Sequence, residues 1–562
     1  MPRLTQTAAD VRRNLAENLD WHFAERDDEE VAQALHRGEP IDAVHTLDEA
    51  GLLDGFFKFL EAHDILSHWE TFTIGGVYRV FVPAIYFLLL YGTRILFGIA
   101  STNALPELLF SNVAVMTLLG FNAHLVENGM TRRGAQQRTG ERPYVLMDPQ
   151  TLADTICKTE RRELERLFNG TIQRLAAAGV FAARVMAVVD GTRVETTPKY
   201  QGCGRQSVTH RHRNRQGVWV ETVELVYGWR LIVLLDLVTM IPLAIKIVQI
   251  QEHEAPHLLD LLRQAQENLA PHSRIVTLVV DRAYVDGPTL YKIEQLGITW
   301  YLTAKSNMRA RRTALALSAE GEMLERVTRV TRGHGRDATV EKVRTSIVAV
   351  EGIRTWDNYR PPQEETGRLP FAQRPALNAV VIKEWRNKTP SSDAGPRVIL
   401  TNGPVDDPWT LVDAYDDRSW IENGLFRNSK QFWTLTRWFP QKNEAGVRAH
   451  LTFVMLIVAT ATAYRLWDKA QSQPSPAPPS HLARSQPPAD DTDEETHPDP
   501  LQLAHSLLEG QGPQRWRREL QRENRDKLIV FIDDHYGIFE TYEFLVLSGV
   551  PVRQLPPHLG TP

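Results

Sequence analysis

A chain of 562 residues has room for several cores, and its 43% hydrophobic and 24% charged residues supply both interior and surface. The net charge of −5 excludes a globally basic protein, so any surface for nucleic acid must be local. Two cysteines, Cys157 and Cys203, exclude a disulfide framework and a four-cysteine zinc site, and fit a reducing compartment.

In chain order, Met1–Glu30 is polar and charged, which argues against a secretory signal there. Residues 1–150 read as a helical N-terminal region. Thr46 and Glu49 have capping-box spacing ahead of LLDGFFKFLEAHDIL. The run YRVFVPAIYFLLLYGTRILFGI looks membrane-like, but its uncharged stretch between Arg79 and Arg94 is short for a span, and Pro83 and Gly92 interrupt it. It predicts a buried helix pair and no membrane partner. TRRGAQQRTGERP then reads as a basic loop carrying Arg132 and Arg133.

Residues 151–304 read as the first part of an α/β core. RVMAVVDGTRVE holds a short β-branched run ending at Asp190. QGCGRQSVTHRHRNRQG reads as a polar basic loop with Arg205, Arg211, Arg213 and Arg215. Two strands follow, then the amphipathic helix EAPHLLDLLRQAQENL, then RIVTLVVDRAYVDG, a buried strand ending at Asp281. TLYKIEQLG predicts a helix and ITWYLTAKS a strand, giving the order β-β-β-α-β-α-β. Residues 305–408 read as a β-rich insertion, in which Trp356 and Trp385 are taken as core. Residues 409–469 complete the core with an acidic helix and a long apolar helix. Residues 470–500, with eight prolines and the run DDTDEE, predict a disordered linker. Residues 501–562 read as a small α/β tail.

A carboxylate at the end of a buried strand is costly unless it is paired or bound to metal. Asp190 and Asp281 occupy such matching positions. A cluster of hard carboxylates suits Mg²⁺ or Mn²⁺, and two such ions support in-line displacement at phosphorus. From the residues alone the third carboxylate stays open among Asp236, Asp286, Glu195 and Glu422. In YDDRSWIENGLFRNSK, Tyr415 and Arg418 each fall within about 40° of the direction of Glu422 on a helix, forming one polar face.

These residues resemble the DDE transposases of cut-and-paste insertion sequences, which have a ribonuclease H-like core. VVDGT, DRAY followed by DG, a β-rich insertion and a Tyr-x2-Arg-x3-Glu spacing at Tyr415, Arg418 and Glu422 carry the resemblance. It implies a ribonuclease H-like mixed sheet flanked by helices, with a β-rich insertion and a helical N-terminal domain that binds DNA ends. It implies Asp190, Asp281 and Glu422 as catalytic metal ligands, holding two ions of Mg²⁺ or Mn²⁺. Tyr415, Arg418, Lys430, Arg427, Arg132, Arg133, Arg211, Arg213 and Arg215 would then contact DNA. The motif's Lys should fall at position 429, where Ser429 stands; Lys430 is one residue further, about 80° around a helix instead of about 20°. The implied reaction is cleavage at the transposon ends and transfer of the 3′-OH into target DNA, by a homodimer in a cytoplasmic, nucleoid-associated setting. The competing expectations are a nuclease without strand transfer and a catalytically inactive DNA-binding derivative.

Overall fold

The computed structural model describes residues 25–47, 51–75, 82–121, 146–213, 218–332, 339–361, 370–386, 389–390, 395–472, 527–533 and 535–549. Arg132, Arg133, Arg215, Glu49 of the capping box and the whole of 473–526 lie outside them.

The N-terminal region is helical, with two short strands among the helices. Strand β1 (Glu25–Arg26) leads into helix α1 (Asp28–Arg37), whose first turn is capped by the Asp27 carboxylate. Strand β2 (Ala43–Thr46) precedes α2 (Gly51–Ala62). Helix α3 (Ala84–Leu96) is the membrane-like run, and it is buried from Phe87 to Leu96. Even Arg94 is enclosed, donating to the carbonyls of Ala100 and Trp438.

Helix α4 (Arg161–Ala177) feeds the core sheet. Its strands are β3 (Arg184–Thr196), β4 (Gly204–Arg213), β5 (Trp219–Asp236), β6 (Pro242–Gln249), β7 (Arg274–Val280) and β8 (Thr299–Thr303). Strands β3, β7 and β8 are parallel, β5 runs antiparallel to β3, and β6 pairs antiparallel with β5. The order β6-β5-β3-β7-β8, with only β5 reversed, is the ribonuclease H-like mixed sheet. Val185, Ala187, Val188 and Val189 are all buried, as a strand covered on both faces requires. Between β6 and β7, α5 (Leu258–Leu269) buries Leu258, Leu261, Leu262, Ala265 and Leu269 against the sheet, a helical stripe of spacing three and four. Helix α6 (Gly287–Gln295) joins β7 to β8.

Two sequence expectations change here. The basic segment expected as a loop is strand β4, paired over its whole length with the first half of β5. Its alternation of Arg, Ser, Thr and His suits a ribbon exposed on both faces, where no apolar stripe marks the strand. Asp190 lies within β3 and not at its end: β3 continues to Thr196 against β5, while its parallel pairing with β7 stops at Val189↔Val280.

The insertion supplies β9 (Met323–Arg332), β10 (Thr339–Ile353), β11 (Leu377–Arg386), β12 (Thr389–Pro390) and β13 (Arg397–Thr401). Strand β13 pairs antiparallel with β8, so insertion and core form one continuous eleven-stranded sheet. Trp356 packs edge-on to Trp300 and stacks on Tyr359. Helix α7 (Pro408–Asp417) then crosses β8, β10 and β11. Helix α8 (Glu444–Ser472) packs against α3, α4 and β6. Among the described residues, the stretch Glu444–Ala470 is the helix long and apolar enough to cross a membrane, and 83% of its apolar window is buried inside the protein. Strands β14 (Lys527–Ile532) and β15 (His535–Glu540) close a second sheet, β1-β15-β14-β2, which joins the tail to the N-terminal region.

Candidate active site

The last parallel pair, Val189↔Val280, places Asp190 and Asp281 as the next residues on adjacent strands. Neighbouring strands lie about 4.8 Å apart, and residues in register on parallel strands point to the same face. Asp281 keeps an extended backbone, and its Oδ1 accepts from Arg282 N at 2.7 Å, capping the turn Arg282–Tyr284. Asp190 Oδ1 accepts from Gly191 N at 2.8 Å.

Glu422 arrives from the acidic helix, which is not a plain α-helix. After α7 the chain winds through a π turn, Ile421–Phe426, before the short helix Arg427–Phe432. The π turn lies against β3. Arg418 joins the elements: its Nη1 is 3.2 Å from Glu422 Oε1 and 3.7 Å from Asp190 Oδ2. Burial opposes the guanidinium's charge, but Asp281, then Asp190 and Glu422, hold it firmly protonated. The three carboxylates are thus gathered about a guanidinium. Among the described residues, no three His, Cys, Asp or Glu side chains converge closely enough to hold a metal ion.

Burial pushes the Asp190 carboxyl up to about 7, helped by the negative charges of Glu254 and Glu422 and opposed by the Gly191 N–H and Arg418. Arg418 offsets only part of that burial, and the hard oxygens of such a carboxyl on rigid backbone are chemically suited to a divalent ion. A cavity of about 920 Å³ opens beside it, its lining including the acids Asp190, Glu195, Glu254 and Glu422 and the bases Arg193, Arg230, Arg427 and Lys430.

The π turn resolves the displaced lysine. Its hydrogen bonds reach five residues on, so one residue more than an α turn is taken up between Glu422 and Lys430. Eight steps then act as about seven, and Lys430 returns to within roughly 20° of the face that Glu422 occupies. Lys430 lines the cavity, whereas Ser429 is 1% exposed and buried beneath it. Burial lowers the Lys430 ammonium below its usual value, with Glu195 partly restoring it. Tyr415 is buried, its ring lying 5.9 Å from the Arg397 guanidinium and 6.0 Å from that of Arg418.

The competing carboxylates have other duties. Asp236 accepts from Thr239 N and Oγ1 in the β5–β6 turn, and Asp286 caps α6 through Thr289 N. Glu195 lines the cavity, half exposed, beside Lys430. Arg211 and Arg213 stand on the β4–β5 ribbon, Arg211 paired with Glu221 and Arg213 over the Trp219 ring at 5.1 Å. Sequence reasoning missed Glu254 and its partners Arg230 and Tyr284. An acid opening an amphipathic helix looks like ordinary terminal charge, so only the DRAY context of Tyr284 offered a signal.

Residues 183–459 match the family of the transposase DDE domain. No curated protein matches the chain. The matched span takes in both strand aspartates, the insertion and the acidic helix, and the chain is a DDE transposase of the insertion-sequence kind.

Proposed function

We propose that this transposase cleaves DNA at the ends of its element and joins the exposed 3′-OH to target DNA, with Asp190, Asp281 and Glu422 as the catalytic carboxylates. The observation that supports this most directly is the strand register, which sets Asp190 beside Asp281 while Arg418 links Asp190 to Glu422. DDE transposases use divalent metal ions. Here the three carboxylates would hold them, two ions of Mg²⁺ or Mn²⁺, and bound ions would activate the attacking oxygen and stabilise the leaving one. Arg418, released from the carboxylates, would be free to hold a phosphate as a planar fork. Lys430 and Arg427 reach the same cavity and would fix the backbone near the cleaved bond. Arg211 and Arg213 would contact flanking duplex from the ribbon. Cutting two ends together calls for a homodimer, and the N-terminal region is assigned to end binding.

The test replaces Asp190 with Asn, which keeps shape and removes charge. A supercoiled plasmid carrying the gene with its native flanking DNA is the substrate, with MgCl₂ or MnCl₂. Cleavage should fall by at least about 10³-fold, while affinity for the flanking DNA stays within about twofold. Cleavage at the wild-type rate would remove Asp190 from the chemistry. Transfer of a pre-cleaved 3′-OH end into a second plasmid separates the transposase from a simple nuclease.

A further inference from the structure

We propose that Glu254 is a positioning residue of this site, fastening the Asp190 strand to the Asp281 turn; the proposal rests on the catalytic reading above. Glu254 sits in the turn before α5, and its side chain is 12% exposed. Both carboxylate oxygens are engaged. Oε1 accepts from Arg230 Nη1 at 2.6 Å, and Oε2 accepts from the Tyr284 hydroxyl at 3.0 Å.

The two donors come from different places. Arg230 is on β5, directly across from Arg193 of β3. Tyr284 ends the turn that begins at Asp281, and it is 1% exposed. The carboxyl group itself lies over Gly191, the residue after Asp190. A Cβ at position 191 would stand 2.5 Å from Glu254 Cδ and 2.6 Å from Oε1. Gly191 is therefore needed for close approach, since its φ is not in the left-handed region.

One carboxylate thus joins β5, the turn after β7 and the backbone beside Asp190. Both bonds involve a buried or charged partner, so removal of Glu254 leaves the Tyr284 hydroxyl without its acceptor and Arg230 without its carboxylate, held only by the Ile250 carbonyl and Gln206. Hydrogen-bonded groups behind a catalytic ligand typically change activity by about 10- to 100-fold when lost. Glu254 lines the cavity but reaches the reaction through the placement of Asp190 and Asp281.

The experiment uses the full chain, the plasmid substrate above and MgCl₂ titrations under single-turnover conditions. Glu254→Ala should lower the cleavage rate about 10- to 100-fold, with affinity for the flanking DNA within about twofold. Glu254→Gln, which keeps the shape and one acceptor for Arg230, should recover a large part of the loss. Gly191→Ala should be impaired by overlap with the Glu254 carboxyl. In the Gly191→Ala background, adding Glu254→Ala should cost little more, because both changes break one arrangement. Should Glu254→Ala fail to fold, Tyr284→Phe deletes a single hydroxyl and carries the same test, with a rate loss of at least about fivefold expected. Wild-type cleavage by Glu254→Ala or Tyr284→Phe, or fully additive losses in the Gly191/Glu254 cycle, would overturn the proposal. Asp190→Asn serves as control: inactive beside a fully active Glu254→Ala, it leaves the catalytic reading standing and sinks this one alone.

Discussion

Between Glu422 and Lys430 the chain carries one residue more than the motif it resembles, and the π turn absorbs it. A lysine placed this way should act as a phosphate contact, and the buried serine at the motif position should not. Lys430→Ala is expected to weaken binding to the flanking DNA by about tenfold and reduce the slope of log affinity against log salt by about 1. Ser429 Oγ is buried without a hydrogen-bond partner, so Ser429→Ala should leave cleavage within about twofold and not reduce stability. A salt titration by gel shift on both variants decides the assignment; the reverse pattern would return the role to position 429. At this scale much of the candidate site was legible. Asp190 and Asp281 show themselves because a carboxylate closing a Val-rich run is chemically unusual. Lys430 was legible as a candidate phosphate contact, but its place on the Glu422 face was hidden because α-helical arithmetic has no place for a π turn. Glu254 was hidden because its partners, Arg230 and Tyr284, are far away in sequence.

The insertion does more than interrupt the core, because β13 continues the catalytic sheet and α7 runs back across it. A clamp holds that helix. Arg326 of β9 reaches Asp413 with its Nη1 at 2.8 and 3.0 Å from the two oxygens, and its guanidinium lies 4.0 Å above the Trp409 ring. Arg397 of β13 pairs with Asp416, about one helical turn on. The Arg326 pair is well exposed, at 39% and 52%, so its charge contributes at most about 1 kcal/mol, with a similar amount from the ring. Arg326→Ala should therefore leave global denaturation nearly unchanged. It should instead speed amide exchange in α7 and slow cleavage by up to about tenfold, the equivalent of roughly 1.4 kcal/mol. Exchange in 408–417 identical to wild type would show that the clamp does not hold the helix. The order of core strands was readable from apolar runs and intervening helices. The continuity of the insertion with β8 was not, since periodicity reveals which segments are strands but not which edges pair. Strand β4 escaped for a related reason: its residues alternate without an apolar face.

Across the whole molecule, α8 is the central strut, buried against α3, α4 and β6, while the tail strands complete a sheet with the N-terminal strands. The strut contains a fully enclosed histidine. His450 Nε2 is 2.8 Å from the Thr434 carbonyl, which can only accept, so Nε2 carries the proton and Nδ1 accepts from the Tyr91 hydroxyl at 2.8 Å. Burial drives its pKa down to about 3, aided by the nearby Arg94 and opposed by the Thr434 carbonyl. In the unfolded chain an ordinary histidine titrates near 6.5. Between these values the unfolded state binds the proton and the folded state refuses it, so stability rises with pH across that window. The contribution is fully present above about 6.5 and drains away as pH falls toward 3, by at most about 1.4 kcal/mol per pH unit. Urea denaturation at pH 7 and pH 5 should show wild type markedly weaker at pH 5. His450→Gln should be less stable at pH 7, having lost imidazole packing, yet show a smaller drop between the two. An equal drop in both proteins would mean that the imidazole is already protonated in the folded core, or that it is not enclosed between Tyr91 and Thr434.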